Sequence, residues 1–210
     1  MSVGPNSGDK RVNYGPRAAR TRAAILDAAR ELFLDHGYAG TQVAHITRAC
    51  GISRAGFYTY FRDKHEVFLL LADKSYRAVL EVVGRWHTLP HSCTPGEIAG
   101  WVRAYFDFLD VHGAFIFASI QSGPDDARLV ASSRRRQARV AYQLGAHLRE
   151  RQARPARTPE ALGLATMAML DRCWQAHHAQ RVPIEADDVI ETIAGLISGI
   201  LTAKPLVQSK

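Results

Sequence analysis

The chain is short of the residues and patterns that build several broad classes of protein. It has only three cysteines, Cys50, Cys93 and Cys173, odd in number, far apart and without a CxxC pair. That excludes a disulfide framework and argues against a zinc ribbon. The thiols read as small buried hydrophobes, with a redox-sensing thiol as the sharper alternative. No apolar run approaches the roughly 20 residues needed to span a bilayer, so no membrane partner is expected. The opening stretch, MSVGPNSGDKRVNYGPRAAR, has no apolar segment behind its basic residues and reads as neither secretory signal nor anchor. Its glycines and prolines suggest a disordered arm over residues 1–16, and the expected compartment is the cytoplasm. Few stretches alternate in the manner of strands. Nothing resembles a nucleophile elbow, a phosphate loop or a metal triad, so the chain is read as no enzyme, with no cofactor and no metal. His112, His147, His177 and His178 raise the thought of a metal sensor. Adjacent histidines, however, point to different helix faces.

What is present is helix after helix. Of 210 residues, 47% are hydrophobic, enough for a substantial core. Ile25, Ala28, Ala29, Leu32 and Phe33 recur at three- and four-residue spacing, with Gly37 placed to stop that helix. Thr41 is a plausible N-cap for a short second helix with Val43, Ile46 and Ala49 inward. Gly51-Ile52-Ser53 then turns the chain into a third. Asp63 and Glu66 have capping-box spacing for a fourth helix. Thr94-Pro95-Gly96-Glu97 opens a fifth, GAFIFASIQS reads as a short apolar helix of its own, and three further helices follow, about nine in all. The fold class is all-α. The net charge of +7 is uneven: residues 1–64 hold ten Lys or Arg against five Asp or Glu, and the rest seventeen against fifteen. A compact basic segment is an electrostatic footprint for nucleic acid or an anionic surface.

The stretch GISRAGFYTYF, Gly51 to Phe61, mixes rings with polar and small residues. On a helix Phe57 and Phe61 share a face and would anchor it to Ile25, Phe33, Val43 and Ile46. Ser53, Arg54, Gly56, Tyr58 and Tyr60 fall outward. Ala55 and Gly56 are small, so the axis can approach base edges. Arg54 can reach a guanine or a phosphate, and tyrosine hydroxyls suit phosphate oxygens. The segment therefore reads as the second helix of a helix-turn-helix, laid into a DNA major groove.

Thr21 to Leu71, with ILDAARELFLDHGY, the Thr41 start, ACGIS, FYTYF and Lys64 before an apolar run, resembles the DNA-binding domain of the TetR family of bacterial transcriptional regulators. The resemblance implies three parts: the arm, a helix-turn-helix domain over residues 17–64, and an effector-binding and dimerisation domain over residues 65–210. It implies a cytoplasmic homodimer on a palindromic operator in double-stranded DNA, most often a repressor, released by a small molecule. By position, Thr41, Gln42, Arg48, Ser53, Arg54, Ala55, Gly56, Tyr58, Tyr60 and Lys64 would face DNA. Ala44, His45, Thr47 and Cys50 depart from the commoner pattern in helix two, and Arg48 is only a weak substitute for the polar residue expected at 44. Lys10, Arg11, Arg17, Arg20 and Arg22 could add contacts from the arm.

In the remaining two-thirds, Val189, Ile193, Leu196, Ile197, Gly199 and Ile200 form an apolar, small-residue stripe suited to a four-helix dimer interface. Trp101, Tyr105, Phe108, Phe115, Phe117, Met167 and Trp174 could line an apolar pocket for a hydrophobic or aromatic effector, or could be plain core. Arg134, Arg135, Arg136 and Arg139 read as a solvated face, with an anionic effector or a second DNA contact as alternatives. The competing class is a helical carrier or a redox- or metal-sensing protein without operator-specific DNA binding.

Overall fold

The computed structural model describes residues 15–121, 127–153, 155–178 and 182–202. Lys10 and Arg11 of the expected arm lie outside them. Among the described residues the chain is all-helical, with eight α-helices and one 3-10 turn. These are α1 (Pro16–Gly40), α2 (Val43–Ala49), α3 (Arg54–Tyr60), α4 (Lys64–Gly84), the turn (Arg85–Thr88), α5 (Pro95–Gln121), α6 (Ala127–Arg149), α7 (Pro159–His178) and α8 (Ala186–Thr202). Two expectations about boundaries are corrected. Pro16 already begins α1, so Arg17, Arg20 and Arg22 stand on a helix and not in an arm. The part of GAFIFASIQS up to Gln121 continues α5, and Ser122 lies outside the described residues. Gly113 tolerates the helix there and leaves room for the Trp174 ring, which a Cβ would approach to 3.1 Å.

The helix ends follow local chemistry. Gly37 takes φ 68° and breaks α1 three residues before its end, and Gly51 takes φ 66° in the turn between α2 and α3. Such values suit a residue without Cβ. Ser53 Oγ accepts the Gly56 amide at 3.0 Å, Asp63 Oδ1 accepts the Glu66 amide at 2.8 Å, and Thr94 and Glu97 cap each other reciprocally. The cap of α2 is Gln42 and not Thr41, with His45 returning the bond to the Gln42 amide.

Two hydrophobic cores result. The first gathers Ile25, Ala29 and Phe33 of α1, Ile46 of α2, Phe57 of α3, Phe61, and Val67, Phe68 and Leu71 of α4. The second holds Val79, Val82 and Val83 of α4, Trp86, and the inner faces of α5 to α8. Helix α4 therefore serves both, and Phe115 of α5 reaches back into the first, with its ring 4.8 Å from Phe68 and 6.4 Å from Phe33. Helices α6 and α7 press together at Gly145 and Gly163. A Cβ on either would lie within 2 Å of the backbone carbonyl oxygen of Pro159 or Ala141, so glycine is required at both.

Candidate nucleic-acid interface and effector cavity

Helix α3 is held from below and bare above. Phe57 and Phe61 are fully or almost fully buried and pack ring to ring at 5.7 Å. Ser53, Arg54, Ala55, Tyr58 and Thr59 are exposed, and Gly56 and Tyr60 are half-buried. The guanidinium of Arg54 lies 6.0 Å from the Tyr58 ring centroid. Gln42 and Arg48 of the neighbouring α2 are exposed as well. This is a short helix presenting one arginine, one serine and one tyrosine over small residues, with basic side chains beside it. Arg17 and Arg20 project from exposed positions at the start of α1, while Arg22 is spent on the Phe61 ring, 5.1 Å away.

Two residues expected at this surface are turned inward. Thr41 is completely buried, and its hydroxyl donates to the carbonyls of Leu32 and Gly37 at 3.0 and 2.8 Å. The Lys64 ammonium donates to the carbonyls of Tyr38 and Thr41, each at 2.7 Å, and sits over the Tyr38 ring at 4.4 Å. Burial holds its pKa below the ordinary lysine value. Both satisfy carbonyls exposed where Gly37 breaks α1. They lock the joint between α1, α2 and α4 and leave little for a phosphate. Tyr60 is similarly drawn toward the first core and shares its ring with it.

A cavity with about 870 Å³ of empty space, its open mouth included, lies between α4, α5, α6 and α7. Tyr105, Phe115 and Met167 line it, as expected, and Phe68, Leu69, Tyr76, Leu109, Ile116 and Val140 complete an apolar wall. Four expected residues belong elsewhere. Trp101 packs edge-on to Trp86 and donates its indole N–H to Val82 at 2.9 Å. Phe108 stacks on His112. Phe117 stacks on Trp174, whose N–H donates to Asp110 at 2.7 Å. Aromatic rings at helical spacing served two faces of α5, and spacing alone did not say which one faced the void.

Of the polar residues of the cavity, the sequence singles out Arg136, as an alternative contact for an anionic effector, but not Asp171. Arg136 lines the mouth of the cavity, over the Tyr76 ring at 5.4 Å and 3.9 Å from Asp73, whereas Arg134, Arg135 and Arg139 are exposed. Asp171 lies inside and accepts a bond from the Tyr105 hydroxyl at 3.1 Å. Burial lifts its pKa to about 6 despite that bond. Burial, then the Asp171 charge, pushes the Tyr105 phenol well above its usual range. The available signal for Asp171 was periodicity: it falls one turn from Met167 and from Trp174 on the inner face of α7.

The expected dimer stripe divides. Ile193 and Ile197 are buried in the chain's own core and Val189 packs beside it. Leu196, Gly199 and Ile200 are exposed, with Leu196 53% accessible, beside exposed Leu164, Ala165 and Ala168 on α7. Helix α8 has two apolar faces, and only one is covered. No described helix is long and apolar enough to cross a membrane.

The described residues thus form a short helix-turn-helix seated on a larger helical body, with a cavity between the body helices. Residues 25–71 match the family model described as bacterial regulatory proteins, tetR family. The chain is 38% identical over 72 residues to the transcriptional repressor AcnR of Corynebacterium glutamicum, covering 34% of this chain and 38% of the repressor. It is 29% identical over 106 residues to the transcriptional activator FasR of Mycolicibacterium smegmatis, covering 50% and 48%. The chain thus spans less than half the length of either relative. The fold extends further than the sequence match: the fatty acid degradation regulator FadR of Bacillus halodurans superposes with a TM-score of 0.66 at 18% identity, over 89% of this chain and 97% of that one.

Proposed function

We propose that the protein is a homodimeric, ligand-responsive transcriptional regulator that binds a palindromic operator through α3. The observation that carries this reading is the exposed face of α3 over a fully buried Phe57. Arg54 is positioned to contact a base edge or phosphate, with Ser53, Tyr58, Gln42 and Arg48 as docking contacts. The uncovered faces of α7 and α8, with Leu164, Ala165, Ala168, Leu196, Gly199 and Ile200, would pair with a second copy as a four-helix interface. That places two reading helices on one duplex.

Repression relieved by an effector is the favoured mode. The effector is read as an apolar or aromatic molecule carrying a hydrogen-bond-donating or cationic group. Asp171 is buried with only a phenol for company, and the charge of Arg136 is offset by Asp73, so the interior of the cavity favours a donor over a second anion. Phe68 and Phe115 line the cavity and also belong to the first core. A ligand that displaces them would shift α4 and α1, and with them the spacing of the two reading helices. A gel shift against DNA upstream of the protein's own gene tests the reading. Sequence-preferring, salt-sensitive binding that Arg54→Ala weakens supports it. Equal binding to competitor DNA at moderate salt refutes it.

A further inference from the structure

A cluster of potential metal-ligating side chains lies at the other end of α4 from the helix-turn-helix. His87 is in the 3-10 turn that follows α4. His147 and Glu150 are three residues apart, one turn, near the end of α6. One ligating atom from each of the three lies within 4.8 Å of the other two. The His87 and His147 rings are 3.8 Å apart between centroids and nearly perpendicular, at 75°. His147 is 8% exposed, and its Nε2 has no hydrogen-bond partner among the described residues. Their proximity is fixed by backbone. Arg151 donates to the carbonyls of Trp86 and Leu89 at 3.0 and 2.7 Å and lies over the Trp86 ring, pinning the turn to α6.

A buried imidazole nitrogen without a partner is uncommon and calls for one. We propose that His87, His147 and Glu150 form a binding site for a divalent transition-metal ion of the zinc class, with a further position open to water. Two imidazoles and a carboxylate are the donor set that zinc takes in open sites. The sequence hides the set because 60 positions separate His87 from His147. Burial, and after it His87, hold the His147 pKa below its ordinary value, with Glu150 pulling the other way and Arg151 adding to the depression. Tetrahedral zinc with bonds near 2.1 Å needs ligand atoms about 3.4 Å apart. His87 and Glu150 are exposed and free to rotate that last ångström inward, while His147 stays fixed. The Arg151 charge next to Glu150 opposes a cation, so the expected affinity is micromolar and not picomolar. Bound metal would tie the turn to α6 and so fix the far end of the helix that follows the DNA-facing unit.

The test is titration of chelator-stripped, full-length protein with cobalt(II) alone and then zinc(II). The expected result is one cobalt per chain, with visible absorption bands of a low-coordinate site that zinc displaces. His87→Ala and Glu150→Gln, both at exposed positions, should each weaken binding at least tenfold without changing the Tm of the metal-free protein. His177→Ala should leave binding intact and so controls for chance chelation by surface histidines. Absence of cobalt bands up to about 100 µM, or titration unchanged in His87→Ala, overturns the site. So does equal loss in His177→Ala. None of these outcomes depends on whether the protein binds DNA.

Discussion

The two cores of this molecule treat their polar groups differently. Around the first, which carries α3, Thr41 and Lys64 are both spent on backbone carbonyls, and Ser53 and Asp63 close the helix starts. Around the second, Asp171 is buried with one phenol as partner, and the Trp86 Nε1 and His147 Nε2 have none among the described residues. A unit that must present a rigid face gains from complete satisfaction. A unit that must accept a ligand keeps polar groups waiting, at a cost in stability. Phe115 is the physical junction, counted in the first core while lining the cavity of the second.

The sharpest way to break the comparison is Phe57→Ala. Loss of a fully buried ring should cost about 3–5 kcal/mol. Hydrogen exchange should show α2 and α3 losing protection while α7 and α8 keep theirs; simultaneous loss would mean one cooperative core. Lys64→Met should cost about 2–3 kcal/mol, because two carbonyls lose a charged donor. Urea denaturation reads the loss, and the salt slope of DNA binding should stay as it was.

Asp171→Asn should act in the opposite direction. The folded pKa of about 6 lies above the ordinary carboxylate value of 3.8. The raised acid therefore penalises the folded state only once it ionises. The penalty is absent below the unfolded pKa, grows as pH rises between the two values, and is complete above the folded one. The substitution should stabilise the protein by about 2–3 kcal/mol at pH 7.5 and by little at pH 4, as Tm at the two pH values would register. It should also remove any preference of the cavity for dodecylamine over dodecanoate, measured calorimetrically. Smallest in free energy is Arg54→Ala, about 1–2 kcal/mol in operator affinity, roughly a five- to thirtyfold loss. The salt slope should fall by about one and the Tm should not move.

The helix-turn-helix was legible because its information is local. Gly51 with its positive φ, the Ser53 cap, and the Phe57–Phe61 spacing each act within a few residues. Even there, position alone misled for Thr41 and Lys64. Both lie where a docking contact would be sought, but the break at Gly37 exposes carbonyls that claim them first. In the body, sequence spacing marked apolar faces without ranking them. Trp101 and Phe108 follow the same period as Tyr105, yet only Tyr105 meets the cavity. Ile193 and Leu196 are three apart on α8, yet one is core and the other bare.

The amino-acid sequence by itself determined that this chain is a series of helices, where most of them start and stop, and that a short helix carrying Arg54 and Tyr58 is anchored by phenylalanines. Those outcomes follow from caps, glycine dihedrals and periodicities that act over one or two turns. Only the tertiary structure decided which apolar face looks into a cavity, that Arg136 and Asp171 share that cavity, and that His87 stands against His147. Such pairings join residues tens of positions apart, and they are set by how closely whole helices approach, as α6 and α7 do at Gly145 and Gly163.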